Sequence, residues 1–168
     1  MDRAIVIRPE FSPGRRIIAV SDIHGNLPFF QALMDRVGLT PQDILVLDGD
    51  MLEKGRDSLA LLRDIMALSR THTVYPICGN CDGLVSRFFE TDELDAGFYA
   101  SYLPQHPEST IRQLADEMGY PDWQDFPGLR AALRERYPEI RAWLAGLPTI
   151  LETEHLVFVH GGVPSLEH

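Results

Sequence analysis

Arg16-Ile17-Ile18-Ala19-Val20-Ser21-Asp22-Ile23-His24-Gly25-Asn26 is a short apolar run that breaks into a polar, glycine-containing loop. Arg16 to Ser21 reads as a buried strand, and the loop after it carries a carboxylate and an imidazole. Downstream, Leu27 to Val37 reads as a helix. Leu27, Phe30, Leu33, Met34 and Val37 recur at helical spacing, Pro28 sits in the first turn, and Gly38 follows as a stop. The plan then repeats: a strand at 43–47, a loop from Gly49 to Gly55 and a helix from Asp57 to Ser69. A third strand from Thr73 to Ile77 runs into Gly79-Asn80-Cys81-Asp82, read as a loop. Strand, polar loop and helix in alternation predict an α/β fold, parallel over this stretch, with its loops gathered where the strands end.

From Leu84 to Leu147 the pattern changes to short helical stretches at 108–118, 128–137 and 138–146, separated by prolines. This segment reads as a helical insertion, a cap over the sheet edge. A strand pair follows, Thr149 to Leu151 and Leu156 to Val159, turning near Glu154-His155 and delivering His160-Gly161-Gly162.

The chain has 168 residues, enough for one domain with a real core. Its formal net charge of −10 and lack of a basic cluster argue against nucleic acid and against anionic membranes. No apolar run nears the roughly 18–20 residues that span a bilayer. The run Ala4 to Ile7 is shorter than the about 7–15 apolar residues of a signal peptide, so the cytoplasm is the default compartment. Cys78 and Cys81 are too few for a disulfide scaffold.

The strand-end loops hold the chemistry. Asp22 and His24, two apart on an extended backbone, point to one side and can converge on a cation. Alone, such a pair is as readily a loop carboxylate and a capped histidine. Asp50 follows a strand and Gly49; it reads either as a ligand or as an N-cap for the next helix, with Asp48 as its competitor. Asn80 is a turn residue or a neutral oxygen ligand. His160 is a strand end or a ligand, and the paired glycines beside it permit close approach. Taken together, Asp22, His24, Asp50, Asn80 and His160 form a donor set that suits manganese, iron or zinc better than calcium. A bridging carboxylate can hold two such ions about 3.5–4 Å apart.

These residues in this order, Asp22-Ile23-His24-Gly25-Asn26, Gly49-Asp50 to Gly55, Gly79-Asn80-Cys81-Asp82 and His160-Gly161-Gly162, resemble the motifs of the calcineurin-like metallophosphoesterase family. The approach Trp143 to Pro148 and the ending His160-Gly161-Gly162-Val163-Pro164 resemble its phosphoprotein phosphatase branch. The resemblance implies a β-sandwich flanked by helices and two divalent metal ions, manganese first, with iron or zinc as alternatives. Asp22 and His24 would bind the first ion, Asp50 would bridge, and Asn80 and His160 would bind the second. A metal-bridging hydroxide would then attack the phosphorus of a phosphate ester, on a phosphoprotein or a small molecule.

The chain departs from the family pattern at three places. Cys81, followed by Asp82, stands where the family has its catalytic histidine and acidic residue. Lys54, after Glu53, stands where an arginine contacts phosphate; it offers a point charge without the bidentate fork, or is simply solvated. Catalytic roles are thus expected for Asp50, Cys81, Asp82 and Lys54, and substrate contacts for Asn80 and Lys54. The family also supplies histidines after His-Gly-Gly. The chain is therefore expected to be a C-terminally truncated single domain (1–168) with its helical insertion at 84–147, weak in metal binding and activity. Two rivals stand beside this reading: a Cys78–Cys81 redox pair and a non-catalytic binding module. Phosphodiesters and dinucleoside polyphosphates are the alternative substrates, and Phe98, Tyr99 and Tyr102 are expected to be core packing.

Overall fold

The computed structural model describes residues 4–90 and 96–162; Val163, Pro164 and His168 lie outside the described residues. Two three-stranded sheets form the frame. In the first, β2 (Ile17–Val20), β3 (Ile44–Asp48) and β4 (Thr73–Ile77) run parallel in that order, with Ile17 opposite Ile44 and Ile44 opposite Thr73. In the second, β5 (Ile150–Glu152) lies between β1 (Val6–Ile7), which is parallel to it, and β6 (Val157–Phe158), which is antiparallel.

The central strand β3 explains why the sheets pack. Ile44, Leu45, Val46 and Leu47 are all fully buried, so its alternate side chains serve two cores. Ile44 and Val46 join Ile77 and Leu151, with Ile7, Tyr75 and Phe158 packed around them, in the layer between the sheets. Leu45 and Leu47 face the helices. The result is an α/β sandwich flanked on one side by helices.

Helix α1 (Leu27–Val37) starts with a proline and ends on Gly38, whose left-handed backbone donates its N–H to the carbonyls of Asp35 and Met34. It buries Phe30 and Met34, while Leu33 and Phe29 stay exposed. Helix α2 (Ser58–Leu68) buries Leu59, Leu61, Leu62 and Ile65, with Met66 half-buried. Four further helices, α4 (Ala96–Gln105), α5 (Thr110–Glu117), α6 (Phe126–Arg136) and α7 (Pro138–Ala145), follow α3 (Asn80–Glu90) and make the cap. Leu103, Ile111, Leu114, Leu133 and Leu144 share one apolar cluster with Leu45 and Leu47, so cap and sheet have a common core.

Two expectations need correction. Strand β2 is an edge strand, half-buried with Ala19 exposed, because β3 takes the centre. Residues 80–82 are not loop but the first turn of α3. The carboxylate of Asp82 accepts the backbone N–H of Gly79 at 2.9 Å, the acidic half of a capping box that starts the helix there. Val6–Ile7 is a strand whose partner lies far along the chain, at Ile150–Leu151, which no local pattern reveals. No helix among the described residues is long and apolar enough to cross a membrane.

Cap and sheet layer are tied by Arg63 of α2, which meets both oxygens of Glu117 on α5 at 2.6 Å. The Arg63 guanidinium, helped by the Tyr137 hydroxyl, holds the Glu117 carboxyl down to about 2 from an ordinary 4.5. A depressed carboxyl stabilises the fold above its ordinary pKa and loses that contribution as pH falls from about 4.5 through about 2. Glu117→Gln should therefore be less stable than the wild type at neutral pH, by less than about 1 kcal/mol for so exposed a pair. Urea titrations should show the gap closing across that acidic window. A gap that stays constant with pH would assign the loss to packing instead.

Candidate metal centre

The three parallel strands end side by side, and their loops remain zipped beyond the sheet. The N–H of Asp22 donates to Gly49 O at 3.1 Å, that of His24 to Asp50 O at 3.0 Å, and that of Gly25 to Met51 O at 2.9 Å. This pairing is not extended strand. Asp22, His24 and Asp50 have φ of 54°, 48° and 51°, a left-handed backbone that is strained for non-glycine residues. The expectation that alternation on an extended chain aligns Asp22 with His24 is thus wrong in mechanism. Both do reach one site, because the left-handed kinks turn the loop back over the strand ends.

Asp50 is the hub and is almost fully buried. Its Oδ1 accepts the Cys81 N–H at 2.9 Å, so it caps the start of α3 rather than the helix that follows it in sequence. The same oxygen lies 3.4 Å from His160 Nε2. Its Oδ2 lies 3.7 Å from His24 Nε2, which is 3.5 Å from Asp22 Oδ1. One carboxylate therefore faces an imidazole with each oxygen. Two groups of donors share it, each with its atoms within 4.8 Å of one another: Asp22, Asp50 and His160, and His24, Asp50 and Cys81.

Each imidazole is oriented through its far nitrogen. His160 Nδ1 meets the Asp48 carbonyl at 2.9 Å, and His24 Nδ1 meets that of Leu52 at 3.3 Å. With those nitrogens donating to carbonyls, both Nε2 lone pairs face the carboxylates, the arrangement that metal-binding histidines use. The donors present thus fit divalent cations. Burial alone would lower the His160 pKa, but the Asp48 carbonyl and the Asp50 and Asp22 carboxylates hold it above its ordinary value. A hydrogen bond from Ser21, with the charges of His160, His24 and Lys54, draws Asp22 below its own.

Other expected residues take distinct places. Lys54 Nζ lies 3.0 Å from His24 Nε2 at the open side of the site. Asn80 is exposed at the start of α3, with its amide 3.5 Å from Cys81 Sγ. Burial, then Asp50, pushes the Cys81 thiol up to about 12, and burial pushes Cys78 to about 11. Both thiols therefore stay protonated, unlike the thiolate a redox pair needs. Asp82 is fully buried and raised by that burial to about 6. It accepts N–H groups from Gly79, Leu52 and Met51 and so ties the second loop to the third. Asp48, the competitor of Asp50 at the strand end, is raised by burial, and its Oδ1 finds no hydrogen-bond partner among the described residues. Tyr99 is buried and Tyr102 half-buried, as core packing requires, whereas Phe98 is exposed.

Sequence reasoning missed Glu53 as more than a motif position: it is fully buried, with both oxygens bonded to the cap. A carboxylate inside an otherwise polar loop gave no signal of burial. Two glycines are explained by contact. A Cβ on Gly79 would run into the backbone N of Asp50, and one on Gly49, which has φ of 81°, into the His160 ring.

The calcineurin-like phosphoesterase family model matches residues 15–168. The chain belongs to this family. A symmetrical bis(5'-nucleosyl)-tetraphosphatase of Erwinia tasmaniensis is 30% identical to this phosphoesterase chain over 147 residues, 86% of this chain and 43% of that protein. A protein crystallised under a provisional diadenosine tetraphosphatase name superposes with a TM-score of 0.60 at 22% identity, over 95% of this chain and 55% of its own. The Saccharomyces cerevisiae serine/threonine phosphatase with similarity to human phosphatase PP5 gives 0.58 at 16%, over 96% and 43%. These two likenesses show the fold. The chain spans less than half the length of the curated relatives it matches.

Gly49→Ala should displace the His160 ring and cost about 1–3 kcal/mol through the strained φ alone. Imidazole carbon–proton spectra should show His160 shifted while His72 and His155 are unmoved. An unshifted His160 at wild-type stability would contradict the packing of Gly49 on that ring.

Proposed function

We propose that this chain hydrolyses phosphate esters with a pair of divalent cations at the strand-end loops. The observation that carries the reading is the Asp50 carboxylate, with one oxygen toward His24 and the other toward His160. Asp22, His24 and Asp50 would hold one cation, and Asp50, Asn80 and His160 the other. When bound, such ions, manganese foremost and iron or zinc as alternatives, polarise the phosphoryl group and generate a water nucleophile at neutral pH. The chain's own residues do the rest. The carbonyls of Leu52 and Asp48 fix the two imidazoles, and Lys54 offers its charge to the phosphoryl oxygens. Asn80, exposed at the start of α3, would also contact a substrate oxygen. Cys81, protonated, is a neutral group beside the leaving group, where an imidazolium would carry charge. Asp82 keeps the loops in register.

On the phosphatase reading the substrate is a phosphoprotein or a small phosphate ester. The tetraphosphatase name of the Erwinia relative, matched over 86% of this chain, favours the second substrate class, a dinucleoside polyphosphate.

The test is a panel with manganese: an aryl phosphate, a phosphopeptide, diadenosine tetraphosphate and a bis-aryl diester. Wild type should turn over at least one of them, and Asp50→Asn should lose about a thousandfold, the several kcal/mol that metal assistance supplies. Asp50→Asn at the wild-type rate would end the proposal. Cys81→His should alter turnover and leave metal content unchanged. Identical kinetics on monoester and diester would remove Cys81 from the chemistry.

A further inference from the structure

We infer that Glu53 is a positioning residue: through it the helical cap holds Lys54 at the rim of the metal centre. The inference rests on the phosphoesterase reading, because it assigns Lys54 to the phosphoryl group.

Glu53 and Lys54 are consecutive non-glycine residues with φ of 67° and 64°. Each such conformation is strained and persists only where the surroundings impose it. The surroundings here are the cap. Glu53 is fully buried, and its Oε2 accepts the Tyr102 hydroxyl of α4 at 2.6 Å. Its Oε1 accepts the Thr110 N–H at the start of α5 at 2.8 Å. The Tyr102 ring is itself fixed, stacked on His106 with centroids 4.2 Å apart and on Phe98 at 5.5 Å. One residue beyond Lys54, the Gly55 carbonyl accepts Gln113 Nε2 at 3.2 Å, while Gln113 Oε1 takes the Leu59 N–H at 3.0 Å.

The loop is thus gripped on both sides of Lys54 by α4 and α5, and Lys54 between them lies 3.0 Å from His24 Nε2. Released, residues 53 and 54 would relax out of the left-handed region, and the Lys54 stem would swing from the site. An aspartate at position 53 is one methylene too short to keep both bonds. The cap therefore acts on the chemistry without touching substrate.

The test uses Tyr102→Phe, which removes one bond to Glu53 without altering a site residue. Amide hydrogen exchange at 53–55 and orthophosphate affinity of the manganese-loaded chain are read together. Losing a hydrogen bond to a charged group should speed exchange at 53–55 and weaken phosphate binding, each by about tenfold, with exchange in α1 and α2 unchanged. In a Lys54→Met background, Tyr102→Phe should leave phosphate affinity as it is, and Glu53→Asp should reproduce Tyr102→Phe. Wild-type phosphate affinity in Tyr102→Phe, or the same tenfold loss without Lys54, would overturn the inference. A wild type that neither binds phosphate nor hydrolyses any ester sinks the proposed function instead, and this role for Lys54 with it.

Discussion

The Asp50 carboxylate accepts the backbone N–H of Cys81 at the first turn of α3, and from that bond the rest of the centre takes its positions. The N-terminus of a helix is a good place to hold a negative charge, because its free N–H groups and dipole both favour one. The bond brings β3 and β4 loops together so closely that Gly79 has no room for a side chain. Asp82, one residue past Cys81, closes the arrangement from the other side by accepting N–H groups of the β3 loop. The helix and the loop thus cap each other, and the buried carboxylate of Asp50 is left with both oxygens aimed at imidazoles.

A carboxylate so enclosed carries a large desolvation cost unless its charge is compensated. Cations between it and the two Nε2 atoms would supply that compensation. Strain tells a consistent story. Five non-glycine residues adopt left-handed backbone among the described residues, Asp22, His24, Asp50, Glu53 and Lys54, and all lie in the loops that follow β2 and β3 at the centre. Strain collected in one place marks a geometry that folding alone would not choose. The cap, sharing its core with the sheet, provides part of the rigidity that maintains it.

Much of the frame was legible in the sequence because it obeys local rules. The apolar run at 73–77 and the spacing of Leu27, Phe30 and Met34 give β4 and α1 at their observed bounds, and Gly38 stops α1 where a glycine should. The loops that gather at the strand ends follow from the alternation of elements. What escaped was set at a distance. The two-residue strand β1 owes its existence to β5, far along the chain. The first turn of α3 was hidden because its capping acid lies inside the helix and its second cap comes from another strand. Helix α4 contains Pro104 and lacks a clear apolar face. At the centre, the residue types pointed to Asp22, His24, Asp50, Asn80 and His160; the structure brings Asp22, His24, Asp50 and His160 within reach of one another and leaves Asn80 exposed at the start of α3. The backbone that does so is left-handed, which no pattern of side chains announces, and the burial of Glu53 depends on Tyr102 and Thr110, about fifty residues away.

On the proposed function, Asp50 gathers His24 and His160 around a common cation-binding centre. Manganese is paramagnetic, so its place can be read from the imidazole resonances it broadens. Substoichiometric manganese should broaden His24 and His160 together and spare His72 and His155, and Asp50→Asn should abolish the effect while the fold is retained. Broadening at the exposed histidines alone, or unchanged broadening of His24 and His160 in Asp50→Asn, would contradict the account.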